Sequence, residues 1–434
     1  VVKCIVMITT AEKEIIRCLL RQEVLPAIGC TEPAAVALCV ARATEVLGRV
    51  PDSIEVLMSA NILKNAMGVG IPGSGMTGLP IAVALGAVMG RSENGLEVLK
   101  GCTGSDIERA ISLIDGKAVK LSLKRDISEK LYIEAVCRSG DDTSTAVISG
   151  NHTNFVYLSR NGEVLYSAEP SSEEGCDGAV ALDFRKIYDF AVSAPVGDID
   201  FLLEAAEINS AAADEAMANE YGHTLGRTLR MEKWKSVVGS SVMTDIMAYT
   251  SAACDARMGG AMIPVISNSG SGNQGITATL PVYVYGNDNG NTREEIIRAL
   301  TLSSLTVIYI KQNLGRLSAL CGCVVAATGA SCGITYLMGG DYEQVTYSVK
   351  NMVANLTGMI CDGAKPSCSM KISSAASTAV LSAMLAMENR YVSCLEGIID
   401  EDVDKTIRNL TIIGSQGMMA TDEMILDIMV GKEN

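Results

Sequence analysis

The sequence predicts an α+β fold in which a large, mostly α-helical domain is interrupted by a smaller α+β module with an antiparallel sheet. Apolar residues recur with helical periodicity before residue 50 and again from about residue 183, whereas short alternating runs lie between these parts. Hydrophobic residues make up 48% of the chain but aromatic residues only 4%, and 41 glycines are spread among them. Such a core of small aliphatic side chains favours close-packed helices over a β-sandwich.

These patterns divide the 434 residues into three segments. Residues 1–50 are predicted to supply the first helices of the helical domain, residues 51–178 the α+β module, and residues 179–434 the rest of the helical domain. The chain has 35 basic and 50 acidic residues, a formal net charge of −15, and it contains no basic run. A nucleic-acid or anionic-membrane partner is therefore not expected.

Capping residues mark the first helices. Thr9 and Glu12 form a candidate capping box for a helix that is expected to reach Leu25. After a break in the pattern, Thr31 is the expected N-cap of a second helix over residues 32–47. The residue before Thr31 is thus expected directly ahead of a helix N-terminus.

The later helices and strands are predicted from the same helical and alternating patterns of apolar residues. Alternating runs predict strands of one antiparallel sheet at residues 54–60, 119–124, 131–138, 145–150 and 154–159. Two helices, at residues 80–89 and 106–114, are expected to complete this module. The strongest helical segments of the last part are residues 182–193, 198–220, 292–314, 341–360 and 377–392.

Three stretches without any charge are long enough to span a bilayer, namely residues 66–90, 258–287 and 317–340. Each is broken by glycine, proline, serine or asparagine, which would leave backbone groups unpaired in lipid. We interpret them as buried segments of a soluble protein. The N-terminal apolar run is short and has no cleavage site, so we expect no export signal and a cytoplasmic location.

Fourteen cysteines stand against two histidines. In a reducing compartment, thiols are small buried hydrophobes, metal ligands or nucleophiles. Zinc is disfavoured, because no CxxC pair is present and histidines are scarce. Four cysteines lie on apolar helix faces or in a predicted strand and are expected in the core: Cys18, Cys39, Cys137 and Cys394.

Three other cysteines can approach one point from three elements. Cys361 follows one predicted helix, Cys368 precedes the next, and Cys321 lies before or within a third, rich in small residues. Three thiolates suit a cubane iron-sulfur cluster with one open iron, and three buried thiols are the alternative interpretation. Cys323 is expected to point to a different side of a helix from Cys321, and Cys332 lies too far along the helix to share the cluster.

Cys30 is expected directly ahead of the N-terminus of the second helix. A thiolate at a helix N-terminus is stabilised by the helix dipole, which predicts a lowered pKa and a base or nucleophile, although Glu32 opposes this shift. Of the other ionisable candidates, His223 is considered for proton transfer and Lys371 for pairing with a carboxylate, with a structural role as the alternative for each. No role is assigned to His152.

Two glycine-rich segments are candidate anion-binding loops. IPGSGMTG at residues 71–78 and NSGSGNQG at residues 268–275 would present amides and hydroxyls to a carboxylate or phosphate. Neither matches a Walker A loop or a dinucleotide-binding fingerprint. Tight turns between buried helices are the alternative.

Four motifs are specific when taken together: GCTEP (29–33), NSGSGNQG (268–275), LSALCGCVVAATGASCG (317–333) and MICDGAKPSC (359–368). On these motifs, and over nearly its whole length, the chain resembles the L-cysteine desulfidase family, which is related to the iron-sulfur L-serine dehydratase α chain. The resemblance implies an oxygen-labile 4Fe-4S cluster held by three cysteines, and β-elimination of L-cysteine to pyruvate, ammonia and sulfide.

Carried over to this sequence, the family's cluster ligands correspond to Cys321, Cys361 and Cys368, with Cys323 in reserve, and its proposed base to Cys30. Five residues of the loops are the expected substrate-binding groups: Thr31, Ser74, Asn268, Ser269 and Asn273. The chain departs from the related dehydratases in lacking a C-terminal cysteine that occupies the open iron. We expect water, an exogenous ligand or Cys30 in that position.

Other functions remain open at this point. L-Serine dehydration would use the same mechanism, because hydroxide in place of sulfide changes few contacts. A pyridoxal-phosphate lyase rests only on the similarity of NSGSGNQG to phosphate loops, and a non-catalytic iron-sulfur sensor that binds DNA would need a basic helix-turn-helix. A membrane transporter is disfavoured by the broken apolar stretches. The expected partner is a small amino acid, and a homo-oligomer is possible.

Overall fold

A computed structural model describes residues 8–125, 127, 129, 131–168, 182–315 and 318–431. The expected boundary between residues 178 and 179 lies outside the described residues, as does the start of the 317–333 motif. The described part of the chain is mainly helical and carries two β-sheets, which confirms the α+β fold class.

The helices, numbered in chain order, are α1 Thr10–Glu23, α2 Thr31–Leu47, α3 Ala60–Ala66, α4 Leu79–Met89, α5 Gly104–Asp115, α6 Phe184–Ser193, α7 Val196–Ile199, α8 Phe201–Ala218, α9 Leu225–Leu229, α10 Lys235–Val238, α11 Val242–Met258, α12 Gly272–Asp288, α13 Arg293–Leu314, α14 Gly322–Leu337, α15 Tyr342–Leu356, α16 Cys368–Met387, α17 Val403–Ile412 and α18 Met419–Val430. The strands are β1 Val24–Ile28, β2 Ser53–Met58, β3 Val119–Leu123, β4 Tyr132–Ser139, β5 Asp142–Ser149, β6 Phe155–Arg160, β7 Glu163–Ser167 and β8 Pro264–Asn268.

The larger sheet has six strands in the order β3-β2-β4-β5-β6-β7. The prediction of a purely antiparallel sheet is wrong at one pair, because β2 and β3 run parallel. Parallel neighbours need a long crossover, and the chain between β2 and β3 supplies one with α3, α4 and α5. Alternate residues of β4, including Ile133 and Cys137, are fully buried, and α2 packs against β4 and β5.

The helical domain is organised around α14, which packs against α12, α13, α15 and α16. Nearly all of α14 is buried, and it lies within the third uncharged stretch of the sequence. Its small residues allow neighbouring backbones to approach closely: a Cβ added at Gly329 would lie 2.4 Å from the carbonyl oxygen of Ser303 on α13. The glycine content of this segment therefore reflects helix packing.

A two-stranded antiparallel ribbon, β1 with β8, joins the N-terminal helices to the helical domain. The capping box of Thr9 and Glu12 is confirmed, but α1 ends at Glu23 and the residues after it form β1. The expectation that the first helix reaches Leu25 is therefore wrong. The pairing partner of β1 lies about 240 residues away, so only long-range hydrogen bonding makes this segment a strand.

Helix α16 is, within the described ranges, the one helix long and apolar enough to cross a membrane by length and composition. Its 20 residues have a mean hydropathy of 1.3 in the most apolar window, of which 56% is buried against the rest of the protein. The helix ends at Met387, which leaves Cys394 exposed in the following loop, so the expected core position of Cys394 is wrong. Cys39 and Cys137 are buried as expected, and Cys18 is half-buried.

Candidate active site

Five thiols line one cavity of about 490 Å³: Cys30, Cys321, Cys323, Cys361 and Cys368. The cavity lies where the N-terminal part of the chain meets the helical domain. Cys30 comes from the start of α2, Cys321 and Cys323 from the start of α14, and Cys368 from the start of α16. The cysteines singled out by the motifs are thus brought together by three helix N-termini and one loop.

A short backbone bridge sets Cys321 beside Cys361. Leu320 and Ile360 form an isolated antiparallel bridge, in which the amide of Cys321 donates to the carbonyl of Met359 at 3.0 Å. The amide of Cys361 donates in turn to the carbonyl of Ala319 at 2.6 Å. Helix α15 ends before this bridge, at Leu356. The bridge therefore fixes the two segments independently of any bound group.

The expectation that Cys321 and Cys323 point to different sides is wrong. Their Sγ atoms lie 3.3 Å apart. Cys321 is the N-cap of α14 with extended backbone angles, φ −66° and ψ 129°, so it does not follow the helical spacing assumed for the pair. Cys323 also contacts the thioether sulfur of Met359 at 3.3 Å. Cys332 lies away from the cavity and contacts the hydroxyl of Ser348.

The loop from Cys361 to Cys368 is held by ion pairs and by one close backbone approach. Asp362 pairs with Lys365 and Lys371, and these hydrogen bonds outweigh its burial and lower the pKa of the carboxyl to about 2. Gly363 has a φ of +91°, and a Cβ there would lie 2.1 Å from the carbonyl oxygen of Lys64. Only glycine fits this position, which presses the loop against α3.

Cys30 is the N-cap of α2, which confirms its expected position at a helix N-terminus, while Thr31 is the first helical residue and not the cap. Cys30 is only 2% exposed. Burial raises the pKa of the Cys30 thiol to about 12, with the charge of Arg257 opposing the shift and that of Glu32 adding to it. The lowered pKa expected from the helix dipole is therefore wrong for the chain without a bound group, since desolvation dominates.

Cys361 and Cys368 also have raised pKa values. The hydrogen bond between Cys321 and Cys361 raises the pKa of Cys361 well above its ordinary value, burial adds to this, and the nearby ammonium of Lys64 opposes it. Burial also raises the pKa of Cys368. No three Cys, His, Asp or Glu side chains within the described part of the chain have the arrangement of a single metal-ion site. The raised pKa values favour the protonated form of Cys30, Cys361 and Cys368.

Charged side chains of both signs line the cavity: the cations are Lys64, Arg257, Lys311 and Lys371, and the carboxylates are Glu32 and Glu129. Lys64 is 3% exposed and pairs with Asp422 of α18. Lys371 lines the cavity as well as holding Asp362, and its Nζ donates to the carbonyl of Ile360 at 2.9 Å. Two of the four cations are therefore already paired with aspartates.

Arg257, at the end of α11, is a site residue that the sequence analysis missed. Its side chain is 6% exposed; Nε donates to the carbonyl of Gly29 at 3.2 Å and Nη1 donates to Oδ1 of Asn273 at 3.0 Å. Nη2 has no hydrogen-bond partner within the described part of the chain. A Cβ at Gly272 would lie 2.3 Å from Nε, so this glycine makes room for the guanidinium.

Gln274 is a second residue that the sequence analysis missed. It lines the cavity, is 4% exposed, and its Oε1 is buried without a hydrogen-bond partner among the described residues. Its amide packs against Gly322, between Cys321 and Cys323, where a Cβ would lie 3.1 Å from Cδ. A buried acceptor without a partner is unfavourable by about 1–3 kcal/mol, which is relieved when a donor occupies the cavity.

The expected substrate-binding residues divide into two groups. Thr31, Ser269 and Asn273 line the cavity. Ser74 and Asn268 do not: the hydroxyl of Ser74 donates to the carbonyl of Ile71 at 2.7 Å, and Nδ2 of Asn268 donates to the carbonyl of Ser304 at 3.3 Å. Ser74 thus supports its own turn, which is the turn alternative considered for that segment, whereas Asn268 ties its loop to α13.

The positions of the two histidines are the reverse of what the sequence suggested. His152, to which the sequence analysis assigned none, lines the cavity from the loop between β5 and β6. His223 lies in an exposed loop and does not line the cavity, and its backbone amide approaches the buried carboxylate of Asp255. No sequence pattern distinguishes these positions, because each depends on how distant segments pack.

The comparison with known proteins decides the family. The profile of the serine dehydratase alpha chain matches residues 93–427. The chain belongs to the serine dehydratase alpha chain family. Within the match lie Cys321, Cys361 and Cys368, whereas Cys30 precedes it.

Similar proteins match almost the entire chain. UPF0597 proteins of Bacteroides fragilis and Phocaeicola vulgatus are 62% and 61% identical over 98% of this chain and 99% and 100% of their own lengths. A UPF0597 protein of Porphyromonas gingivalis is 50% identical over 98% of this chain and 100% of its own. The serine dehydratase alpha chain family is generally associated with iron-sulfur clusters and with lyase chemistry, which agrees with a site built on thiols.

Proposed function

We propose that this protein is an iron-sulfur-dependent L-cysteine desulfidase, which converts L-cysteine to pyruvate, ammonia and sulfide by β-elimination. The observation that carries the proposal is the convergence of five cysteines on one cavity. Membership of the serine dehydratase alpha chain family supports a lyase reaction on a small amino acid. The substrate and the cluster are the parts that we propose.

A 4Fe-4S cluster with three protein ligands would be held by Cys321, Cys361 and Cys368, which come from three separate elements and line one cavity. The described residues contain no group of three His, Cys, Asp or Glu side chains already arranged to hold a metal ion, so the cluster is part of the proposal. Arg257 and Lys311 on the cavity wall would partly offset the negative charge of the thiolates. When bound, such a cluster leaves one iron open, which supplies a Lewis acid that eases departure of the β substituent.

The polar residues missed from the sequence would orient the amino acid. The free Nη2 edge of Arg257 would bind the substrate carboxylate, since a guanidinium held by Gly29 and Asn273 is already directed. The unpartnered Oε1 of Gln274 would accept a hydrogen bond from the substrate ammonium. Ser269 and Thr31 complete the polar wall. These contacts would hold the Cα–H bond in one direction.

Cys30 would remove the proton from Cα. Its thiol lies on the same cavity and must first lose its own proton, because burial raises its pKa to about 12; the positive charge of Arg257 favours that ionisation. Loss of this proton and of sulfide from Cβ gives aminoacrylate, which tautomerises and is hydrolysed to pyruvate and ammonia. Burial of the thiolate excludes water and makes it a stronger base than an exposed one.

Arg257 links substrate binding to the state of the base. For Arg257→Gln we expect a rise in KM for L-cysteine and a fall in kcat/KM of about 10- to 100-fold, because a hydrogen bond to a charged group is worth about 1.5–3 kcal/mol. The rising limb of the pH profile of kcat/KM should also move to higher pH, since removing the charge raises the pKa of Cys30 further. Steady-state kinetics from pH 6 to 10 measure the change in KM; because the pKa of Cys30 is about 12, this whole range lies on the rising limb, and the shift appears there as a loss of kcat/KM that a variant with the charge kept should not share.

Arg257→Lys is the matched variant. It keeps the charge but loses the planar pair of donors, so it should raise KM while leaving the pH profile nearly in place. A pH profile that moves equally in both variants would contradict the electrostatic link between Arg257 and Cys30.

L-Serine dehydration is the second candidate, and the family match favours it. The test is anaerobic purification with iron and acid-labile sulfide quantitation, followed by sulfide release from L-cysteine and pyruvate formation from L-serine by the same preparation. A kcat/KM at least about 10-fold higher for L-cysteine supports the proposal. A preference for L-serine overturns the substrate, and activity without iron overturns the cluster.

A further inference from the structure

Cys323 is a thiol on the cavity wall that the proposed reaction does not use. The cluster would be held by three other cysteines and the proposed base is Cys30, so the mechanism leaves Cys323 without a part. Its Sγ lies 3.3 Å from that of Cys321. Its other sulfur contact is the thioether of Met359, which cannot form a disulfide. Cys321 is therefore the thiol that Cys323 can bond covalently with the least movement.

The backbone at the start of α14 allows these two sulfurs to come closer. Cys321 is the N-cap with extended backbone angles, and Gly322 is the first helical residue, so the pair is joined through the least restricted residue type. A disulfide joins sulfurs about 2.0 Å apart, which the pair reaches by closing about 1.3 Å. A movement of this size needs only small rotations of the two side chains.

The contact between Cys321 and Cys361 is of a different kind. In the register set by the bridge of Leu320 with Ile360, Cys321 lies opposite Met359, and Cys361 is its diagonal neighbour. Diagonal neighbours in antiparallel pairs lie about 7–8 Å apart, beyond the usual Cα separation of about 4.4–6.8 Å in a disulfide. The backbone hydrogen bonds of the bridge hold this arrangement, so Cys323 is the better-placed partner of Cys321.

An oxidant can reach the pair through the cavity. Both cysteines line it, Cys321 at 9% and Cys323 at 5% exposed. The exposed residue Glu129 lines it as well, so the cavity reaches the protein surface. Hydrogen peroxide is far smaller than a cavity of about 490 Å³. Without a cluster, both thiols are thus accessible to a small two-electron oxidant.

We propose that Cys321 and Cys323 are a redox modification site: in the iron-free protein a hydroperoxide converts them to a disulfide, which withdraws Cys321 from cluster binding. One thiol loses its proton as its sulfur attacks a peroxide oxygen; the O–O bond breaks, and a sulfenic acid and one water form. The sulfur of the second thiol then attacks the sulfenic sulfur, the S–O bond breaks, and a second water leaves. The two thiols lose two electrons, and hydrogen peroxide gains them.

In this role Cys323 protects Cys321 from irreversible oxidation. A sulfenic acid without a neighbouring thiol is oxidised further to a sulfinic acid, which thiol reductants do not reverse, whereas a dithiol reduces a disulfide. The cluster ligand is therefore restored once the oxidant is gone. The inference concerns the iron-free protein and is independent of the amino acid on which the enzyme acts.

The first test maps the disulfide in the full chain. Protein is depleted of iron with a chelator and a dithiol, freed of both, treated with hydrogen peroxide, alkylated with iodoacetamide and digested with trypsin. The peptide of residues 317–350 should be alkylated at Cys332 alone and lack two hydrogens at its other two cysteines, a loss of about 2 Da. A disulfide of Cys321 with Cys361 would instead join this peptide to that of residues 351–371. That result, like the absence of any disulfide, overturns the proposal.

The second test measures what Cys323 does for Cys321. After the same treatment, Cys323→Ala should contain Cys321 as a sulfinic acid, about 32 Da heavier, and dithiothreitol should not restore its thiol. Cys332→Ala is the matched control, because it removes the third cysteine of the same peptide, and it should form and release the disulfide as the wild type does. Equal recovery of the Cys321 thiol in both variants overturns the protective role. Since thiols are counted by mass, a protein that binds no iron would contradict the cluster and still decide this proposal.

Discussion

The variant Cys361→Ala should contain almost no iron and should lose activity by about 10³-fold or more. Cys361 lies at the centre of the thiol group. Its thiol is hydrogen-bonded to that of Cys321 on one side and lies close to Cys368 on the other. A metal centre acting as a Lewis acid contributes several kcal/mol to catalysis, and 4 kcal/mol corresponds to about 10³-fold in rate. Iron quantitation, the absorbance of the cluster near 400 nm and sulfide release measure the loss.

Cys332→Ala is the control for this experiment. Cys332 is a fully buried thiol on α14 whose neighbour is the hydroxyl of Ser348, away from the cavity. It should keep its iron and most of its activity, with only the modest destabilisation of a small core truncation. An active, iron-free Cys361→Ala protein would contradict the cluster, and so would equal iron loss in the Cys332→Ala control.

Iron quantitation also distinguishes Cys321 from Cys323 as the cluster ligand. Cys321 contacts both Cys323 and Cys361, whereas Cys323 contacts Cys321 and the thioether of Met359. Cys321 is therefore the better-placed ligand, and Cys321→Ala should resemble Cys361→Ala in iron content. Cys323→Ala should retain the cluster. The reverse order would assign the ligand to Cys323.

The fold was largely predictable where local rules decide it. The capping box at Thr9 and the alternation in residues 54–60 each specify an element through contacts within a few residues. The errors came where distant segments decide. Residues 24–28 form a strand only because Pro264–Asn268 supplies the other half of the ladder, and β3 is parallel to β2 only because a crossover intervenes.

The candidate site divides in the same way. The cysteines were identifiable because thiols near helix starts are few and belong to motifs, and the structure brings five of them to one cavity. Arg257 has no such signal, since arginine occurs throughout helices and only folding turns this one inward. The weak pattern GxQG could have suggested Gln274, because it continues the loop already singled out.

The pKa of Cys30 shows a further limit. A helix N-terminus stabilises a nearby thiolate by roughly 0.3–1 kcal/mol when exposed, but full burial of a thiol opposes ionisation more strongly. The burial of Cys30, 2% exposed, follows from packing that the sequence does not reveal. The direction of its pKa shift therefore needed the structure.

For Cys30→Ser we expect a fall in kcat of about 10²- to 10⁴-fold with the iron content unchanged, which is the range for loss of a general base. The hydroxyl has nearly the size of the thiol, but its far higher pKa prevents it from accepting the proton of Cα. Serine is also a good N-cap, so α2 should not be weakened, and the unfolding temperature should stay within a few degrees. Kinetics, iron quantitation and thermal unfolding check the three parts.

The isotope effect on removal of the substrate α-proton distinguishes a base from a ligand. The wild-type protein should release products more slowly from L-cysteine deuterated at Cα than from the unlabelled substrate, and Cys30→Ser should show a larger isotope effect, because proton removal becomes fully rate-limiting. Cys39→Ala, a buried thiol on the same helix that bonds the carbonyl of Ala146, should behave as wild type.

If Cys30→Ser instead loses iron while its remaining activity per iron is normal, the thiol serves the open iron, and the proton must leave through another group on the cavity wall. His152 is the residue to replace next in that case, because it lines the same cavity.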